Sequence, residues 1–161
     1  MASVWTKIRN EIAARLGSIS LANGYSVDIL KLEKGRVDAF DDDDLPAINF
    51  WKTDDSAEGK MYSRQQRTLR MGFEYYTLSN DDDIDTISDN FMTDLFIALY
   101  RDPAKPLVTD DPLPMFVDKQ FVVSFDSFRP IIGGGSKPRV GVFAVISFTY
   151  TINNLDPNTL I

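Results

Sequence analysis

Four consecutive aspartates, Asp41, Asp42, Asp43 and Asp44, are the first residues in this chain whose type and spacing could do chemistry. A hard cation wants several oxygen ligands, but a calcium loop of the EF-hand kind also needs a glycine at its sixth position and a bidentate glutamate at its twelfth. Both are missing here, so the run reads as a solvated acidic turn. Its remaining functional use is electrostatic, as the lining of a surface that must not hold DNA. Asp81, Asp82 and Asp83 suit the positive end of a helix dipole better than a metal, and Asp110 and Asp111 read as solvated. Gly133, Gly134 and Gly135 are not a phosphate loop, because a P-loop continues through Gly-Lys-Ser/Thr into a helix. Here Ser136, Lys137 and Pro138 lead into a strand, which predicts a flexible hairpin tip. Ile131 and Ile132 beside that tip are candidates for docking on a partner. Arg64, Arg67 and Arg70 form a small basic cluster; in an acidic chain they predict carboxylate pairing across subunits rather than phosphate binding.

The residue types that are missing narrow the chemistry further. With no cysteine and no histidine, disulfides, thiolate or imidazole metal sites, and Ser-His-Asp or Cys-His nucleophiles are all excluded. Carboxylate, lysine, arginine, tyrosine and serine chemistry is left, and no residue stands out as a nucleophile. Carboxylate pairs of the glycosidase type depend on spatial separation, so sequence alone does not select one. No catalytic residue, metal site or cofactor is predicted. A net charge of −7, from 24 acidic and 17 basic residues, argues against tight binding to duplex nucleic acid, which needs a basic footprint. Apolar residues at 43% are ordinary for a folded domain. The 161 residues fit one domain able to bury a core without a staple. No signal peptide or membrane span is predicted, and the expectation is a soluble, intracellular protein.

The elements that would position these residues follow from hydrophobic period. Ser3 is a candidate N-cap for a helix whose apolar stripe is Val4, Ile8, Ile12 and Leu16, widened by Trp5 and Ala13 and ended by Gly17. Alternation over residues 25–31 predicts a half-buried strand, and residues 47–52 a second short one. Residues 52–66 are polar and read as a long exposed loop. Residues 67–76 form a strand with Arg67, Leu69, Met71, Phe73 and Tyr75 on one face. A second helix, capped by Asn80, turns Ile84, Ile87, Phe91, Leu95, Ala98 and Leu99 inward, with Met92 and Phe96 broadening the stripe, and ends near Arg101. Four prolines between 102 and 114 predict a restrained loop. Strands over 120–128 and 140–152 flank the glycine loop, and residues 153–161 form an exposed extended tail. The expected fold is α+β: one domain over residues 1–161, with a mainly antiparallel or mixed sheet and two amphipathic helices packed on it.

This order of elements resembles the tail-terminator (tail-completion) family of long-tailed bacteriophages. The resemblance is carried by the helix Ile8-Arg-Asn-Glu-Ile-Ala-Ala-Arg-Leu16, the polar insertion at 52–66 and the strand Arg67-Thr-Leu-Arg-Met-Gly-Phe-Glu-Tyr-Tyr76. The helix Asp89-Asn-Phe-Met-Thr-Asp-Leu-Phe-Ile-Ala-Leu99 and the long apolar strand 140–152 complete it. It covers most of the chain as element order. It implies a mixed sheet flanked by helices and a homo-oligomeric, hexameric ring. Such a ring caps the tail tube, ends its polymerisation and joins the tail to head-completion or connector proteins of the neck, while DNA passes through without specific binding. The protein would then reside in the virion, at the tail–neck junction, after assembly in the host cytoplasm. The mechanism would be binding alone. Arg64, Arg67 and Arg70 become candidate subunit contacts; Lys60, Met61, Tyr62, Ile131, Ile132 and Lys137 become candidate tube or neck contacts. Asp41, Asp42, Asp43 and Asp44 would suit an acidic lumen. The alternatives are a head–tail connector, a tail-tube subunit, or a small cytoplasmic enzyme working through carboxylates or lysine.

Overall fold

Ser3 opens the first helix, its side-chain oxygen accepting from the Thr6 N–H at 3.2 Å and so satisfying one donor that a helix start leaves free. The computed structural model describes residues 3–79, 83–100, 121–133 and 138–161, without the side chains of Lys60 and Met61. Helix α1 (Val4–Leu16) buries Val4, Ile8, Ile12 and Leu16, the predicted stripe. Gly17 follows it in a right-handed conformation (φ −65°). Trp5 turns out half-exposed rather than widening the buried face. Helix α2 (Ile84–Tyr100) buries Phe91, Leu95, Ala98 and Leu99 as predicted, and Asp94 with them. Asp83 provides its start, accepting from the Thr86 N–H at 2.7 Å; the predicted cap Asn80, and Asp81, Asp82, Asp110 and Asp111, lie outside the described residues.

Among the described residues six strands make one sheet. They are β1 (Lys31–Lys34), β2 (Ala47–Met61), β3 (Arg64–Leu78), β4 (Phe121–Gly133), β5 (Arg139–Asn153) and β6 (Asp156–Leu160). The order is β1-β2-β3-β5-β4, with β6 paired to β5. β1 runs parallel to β2 and every other pairing is antiparallel, so the fold is α+β with a mixed sheet. The two apolar strands foreseen from sequence, β3 and β5, are its centre. They pair from Arg64↔Asn153 to Leu78↔Arg139.

Both helices lie on one face of this sheet and share a core with it. Phe50, Leu69, Met71, Phe73, Tyr75, Val142, Ala144, Ile146, Phe148 and Tyr150 supply the sheet side. Burying a side chain of this size stabilises the fold by about 1.5–3 kcal/mol. Arg15 of α1 reaches the last described turn of α2: its guanidinium donates to Leu99 O at 3.1 Å and is held by Glu11 at 2.9 Å.

Three elements differ from the sequence expectation. Residues 52–66 are not a loop: β2 and β3 form a long hairpin turned by Tyr62 and Ser63, with register shifts near Thr53 and Glu58. Their polarity reflects strands wetted on both sides. Residues 25–30 form no strand, although Tyr25 is buried and Val27 and Ile29 pack on the core. Their backbone finds side-chain partners instead, as when Ser26 N–H donates to Asp94 at 3.0 Å. Residues 153–161 are not a free tail, since β6 pairs with β5 and buries Leu160.

Candidate contact surfaces

The hairpin arm begins where the core ends, and a buried polar network fixes its base. Trp5 of α1 donates its indole N–H to the Tyr150 hydroxyl at 2.7 Å. Tyr150 donates onward to Asp55 Oδ2 at 2.9 Å. Arg67 grips the other oxygen of Asp55 at 3.0 Å and the Gln65 side chain at 2.9 Å. The Asp55 side chain is 6% exposed, so it needs each of these donors. Burial, helped by the neighbouring Asp55 charge, pushes the Tyr150 phenol up to about 12. For Arg67, burial pulls the pKa down, but Asp55 and Tyr150 together outweigh it and hold the guanidinium above its ordinary value.

Two of the three predicted subunit-contact arginines are therefore engaged within the chain. Arg67 pairs with Asp55, and Arg70 with Asp54 at 3.2 Å on the surface. Arg64 is exposed at the start of β3 and, among the described residues, makes no ion pair. Tyr62 sits at the turn and is fully exposed. Lys60 and Met61 lie at the end of β2, their side chains outside the described residues.

The acidic run is not a bare solvated turn. It forms a 3-10 turn, Asp42–Asp44, within a strap that crosses the sheet face opposite the helices. Asp42 receives the Arg139 guanidinium at 2.6 and 2.9 Å, and Arg139 also donates to Phe40 O at 2.6 Å. Asp44 lies 3.4 Å from Lys31 and 3.7 Å from Arg36. Beneath it Phe40, Leu45 and Ala47 form a small core with Tyr76 and Leu78. Only Asp41 and Asp43 of the four point to solvent. The sequence signal for this was faint: Arg139, the cation on Asp42, lies far from the acidic run along the chain.

Along the other side, β4 is a sheet edge among the described residues. Met92 and Phe96, expected to broaden the inward stripe of α2, are half-exposed. One position round the helix from Phe91 and Leu95, they fall on its shoulder. There Phe96 stacks on Tyr100 (4.6 Å between centroids) and meets Phe125 at a tilt (5.1 Å), and Phe125 stacks on Phe128 (5.8 Å). The Tyr100 hydroxyl ties this row to β4 by donating to Val123 O at 2.5 Å. Farther along β4, which runs through the predicted loop residues, Ile131 is partly buried and Ile132 is 76% exposed. Lys137 lies outside the described residues.

Two cavities lie among the described residues. One, of about 170 Å³, is lined by Ser26, Val27, Tyr75, Thr77, Leu78, Ile87, Asn90 and Phe91. Beside it Asp94 is buried and accepts from both the N–H and the hydroxyl of Ser26. Burial raises its pKa despite those bonds. Asp94 was missed in the sequence; an acid three residues after Phe91 and four before Ala98, on the buried stripe, was the available signal. The second cavity is about 310 Å³ and is lined by residues of α1, β2 and β3 with Lys34 and Gly35. Its floor includes Phe50, Leu69 and Met71, and Arg9, Lys34 and Lys52 contribute its charge. Among the described residues no group of three or more acidic side chains is placed to hold a metal ion. The chain matches no protein-family model and no curated protein.

Proposed function

We propose that this chain is a non-enzymatic phage assembly protein of the tail-terminator type. In this reading six copies close into a ring that caps the tail tube, stops its growth and joins it to the neck. The observation that carries the reading is the β2–β3 arm: a long hairpin, polar along its length, rooted in the core by the Asp55 network and ending in a fully exposed tyrosine. An arm of this kind suits reaching a neighbour, and β4 is, among the described residues, an edge strand on the far side of the sheet. One protruding and one receiving surface on the same subunit is what a heterologous ring contact requires. Arg64 and Tyr62 on the arm, and Ile132 on β4, are the proposed contact residues. Asp41 and Asp43 are the proposed lumen charges, past which DNA slides without sticking.

Negative-stain electron microscopy of the concentrated protein, alone and with purified tail tubes, tests the proposal. Closed rings with an open centre, or tubes capped at one end, are the expected result. Long tubes from the protein alone would identify a tail-tube subunit instead. Compact monomers that also leave tube ends bare would overturn the assembly reading.

A further inference from the structure

We infer that the cavity between the start of α1 and the β1–β2 side of the sheet binds a short acidic peptide segment carrying a large apolar side chain, presented by a partner protein. The charge pattern of the chain points there. Acids outnumber bases by 24 to 17, and Arg15, Lys31, Arg36, Arg67, Arg70 and Arg139 all have carboxylate partners. The three cations at this cavity do not, among the described residues. Lys34 reaches only the Asn10 side chain, at 3.4 Å; Lys52 rests on the Trp5 ring at 4.7 Å; and Arg9 is exposed. Among the described residues no acidic side chain lines the cavity. Three unneutralised cations gathered round one opening, on a chain of net charge −7, are complementary to an anion that the chain does not itself supply.

The shape of the cavity selects among anions. Phe50, Leu69 and Met71 make a floor that suits an apolar side chain, and about 310 Å³ is room for one with its flanking backbone. A free phosphate would leave that floor empty. A nucleobase would need a stacking platform, but Lys52 already covers one face of Trp5, whose N–H is held by Tyr150. Carboxylates flanking an apolar side chain satisfy the rim and the floor together. The inference stands whether or not the chain forms a ring.

The test is a titration of the ¹⁵N-labelled full chain with the peptide acetyl-Asp-Phe-Asp-amide, following the Trp5 indole N–H at the cavity wall. A saturable shift with a Kd of about 1 mM or tighter is expected. The neutral acetyl-Asn-Phe-Asn-amide should bind at least about tenfold more weakly, since the charge-assisted bonds are lost. Lys34→Glu and Arg9→Glu, both at exposed side chains, should each weaken the acidic peptide by roughly tenfold or more while leaving the unfolding midpoint unchanged. No saturable shift by about 10 mM would overturn the inference. So would equal binding of the neutral peptide, which would make the cavity merely apolar, or equal binding of inorganic phosphate, which would make it a plain anion site. A shift driven by protein concentration alone and erased by Lys34→Glu would give the cavity to a second copy of the chain, and would overturn the partner as well.

Discussion

Arg67 and Arg70 show how differently two arginines on one strand are used. The Arg70–Asp54 pair is about half exposed on both sides, and such pairs are worth little. Arg70→Ala is therefore expected to change stability by no more than about 0.5 kcal/mol. Arg67→Ala strands a buried Asp55 with Tyr150 as its remaining donor, and a loss of about 3 kcal/mol is expected; urea unfolding of both variants checks the contrast. Tyrosine gives a second prediction. Tyr75 and Tyr150 are both pushed up to about 12, from an ordinary 10.0, chiefly by burial. A group whose folded pKa is raised holds its proton more tightly in the native state, so its contribution is complete below 10 and disappears as pH rises towards 12. Stability should thus fall across that alkaline window, by up to about 2–3 kcal/mol for each phenol. Tyr75→Phe and Tyr150→Phe should each reduce the pH slope by about one proton. Asp94 behaves in the same sense at acid pH, because its raised pKa makes it most favourable when protonated. Its advantage over Asp94→Asn should be greatest near pH 3.8 or below and shrink as pH rises through its folded pKa.

At the scale of elements, two glycines let the sheet close. A Cβ on Gly141 would stand 2.7 Å from the Tyr75 carbonyl oxygen and 2.7 Å from the Tyr76 ring. At Gly72 it would meet the Trp51 ring at 2.9 Å and the Phe143 ring at 3.3 Å. A backbone oxygen in a paired strand cannot yield as a side chain can. Gly141→Ala is therefore expected to cost about 2–3 kcal/mol, more than Gly72→Ala, in thermal or urea unfolding. Glycine inside a strand pattern can mark such close approach, but neither position was singled out in the sequence. Legibility elsewhere followed the length and strength of the apolar period. The α1 stripe, the inner stripe of α2, and strands β3 and β5 could be read because each repeats over several turns or pleats. The arm from 52 to 66 could not, because a strand wetted on both faces has no alternation to show. At 25–30 the alternation truly marks burial, but the hydrogen-bond partners are side chains brought in from Asp94. The candidate surfaces were less legible still. The cavity gathers residues from positions 3 to 71, and the Asp55 network joins positions 5, 55, 67 and 150; no local spacing encodes either.

At the scale of the whole molecule, the helices cover one sheet face, while the arm, the β4 edge and the strap leave distinct surfaces for contact. If the arm is for assembly, Tyr62→Asp should leave the monomer's unfolding midpoint unchanged and abolish ring closure or tube capping, as judged by analytical ultracentrifugation and microscopy. The strap gives the opposite behaviour: Arg139→Ala removes the cation facing Asp42 and should lower stability by about 1–3 kcal/mol. The position of β5 has a further consequence. It is the penultimate strand in the sequence, yet it lies between β3 and β4 and supplies Val142, Ala144, Ile146, Phe148 and Tyr150 to the core. On a chain emerging from the ribosome, the flank of β3 that β5 covers has no native partner until residues 139–153 have been made. Throughout that interval the nascent chain is a template for strands of other polypeptides. Release halted a few codons early in β5 would remove the keystone of the sheet rather than trim its margin.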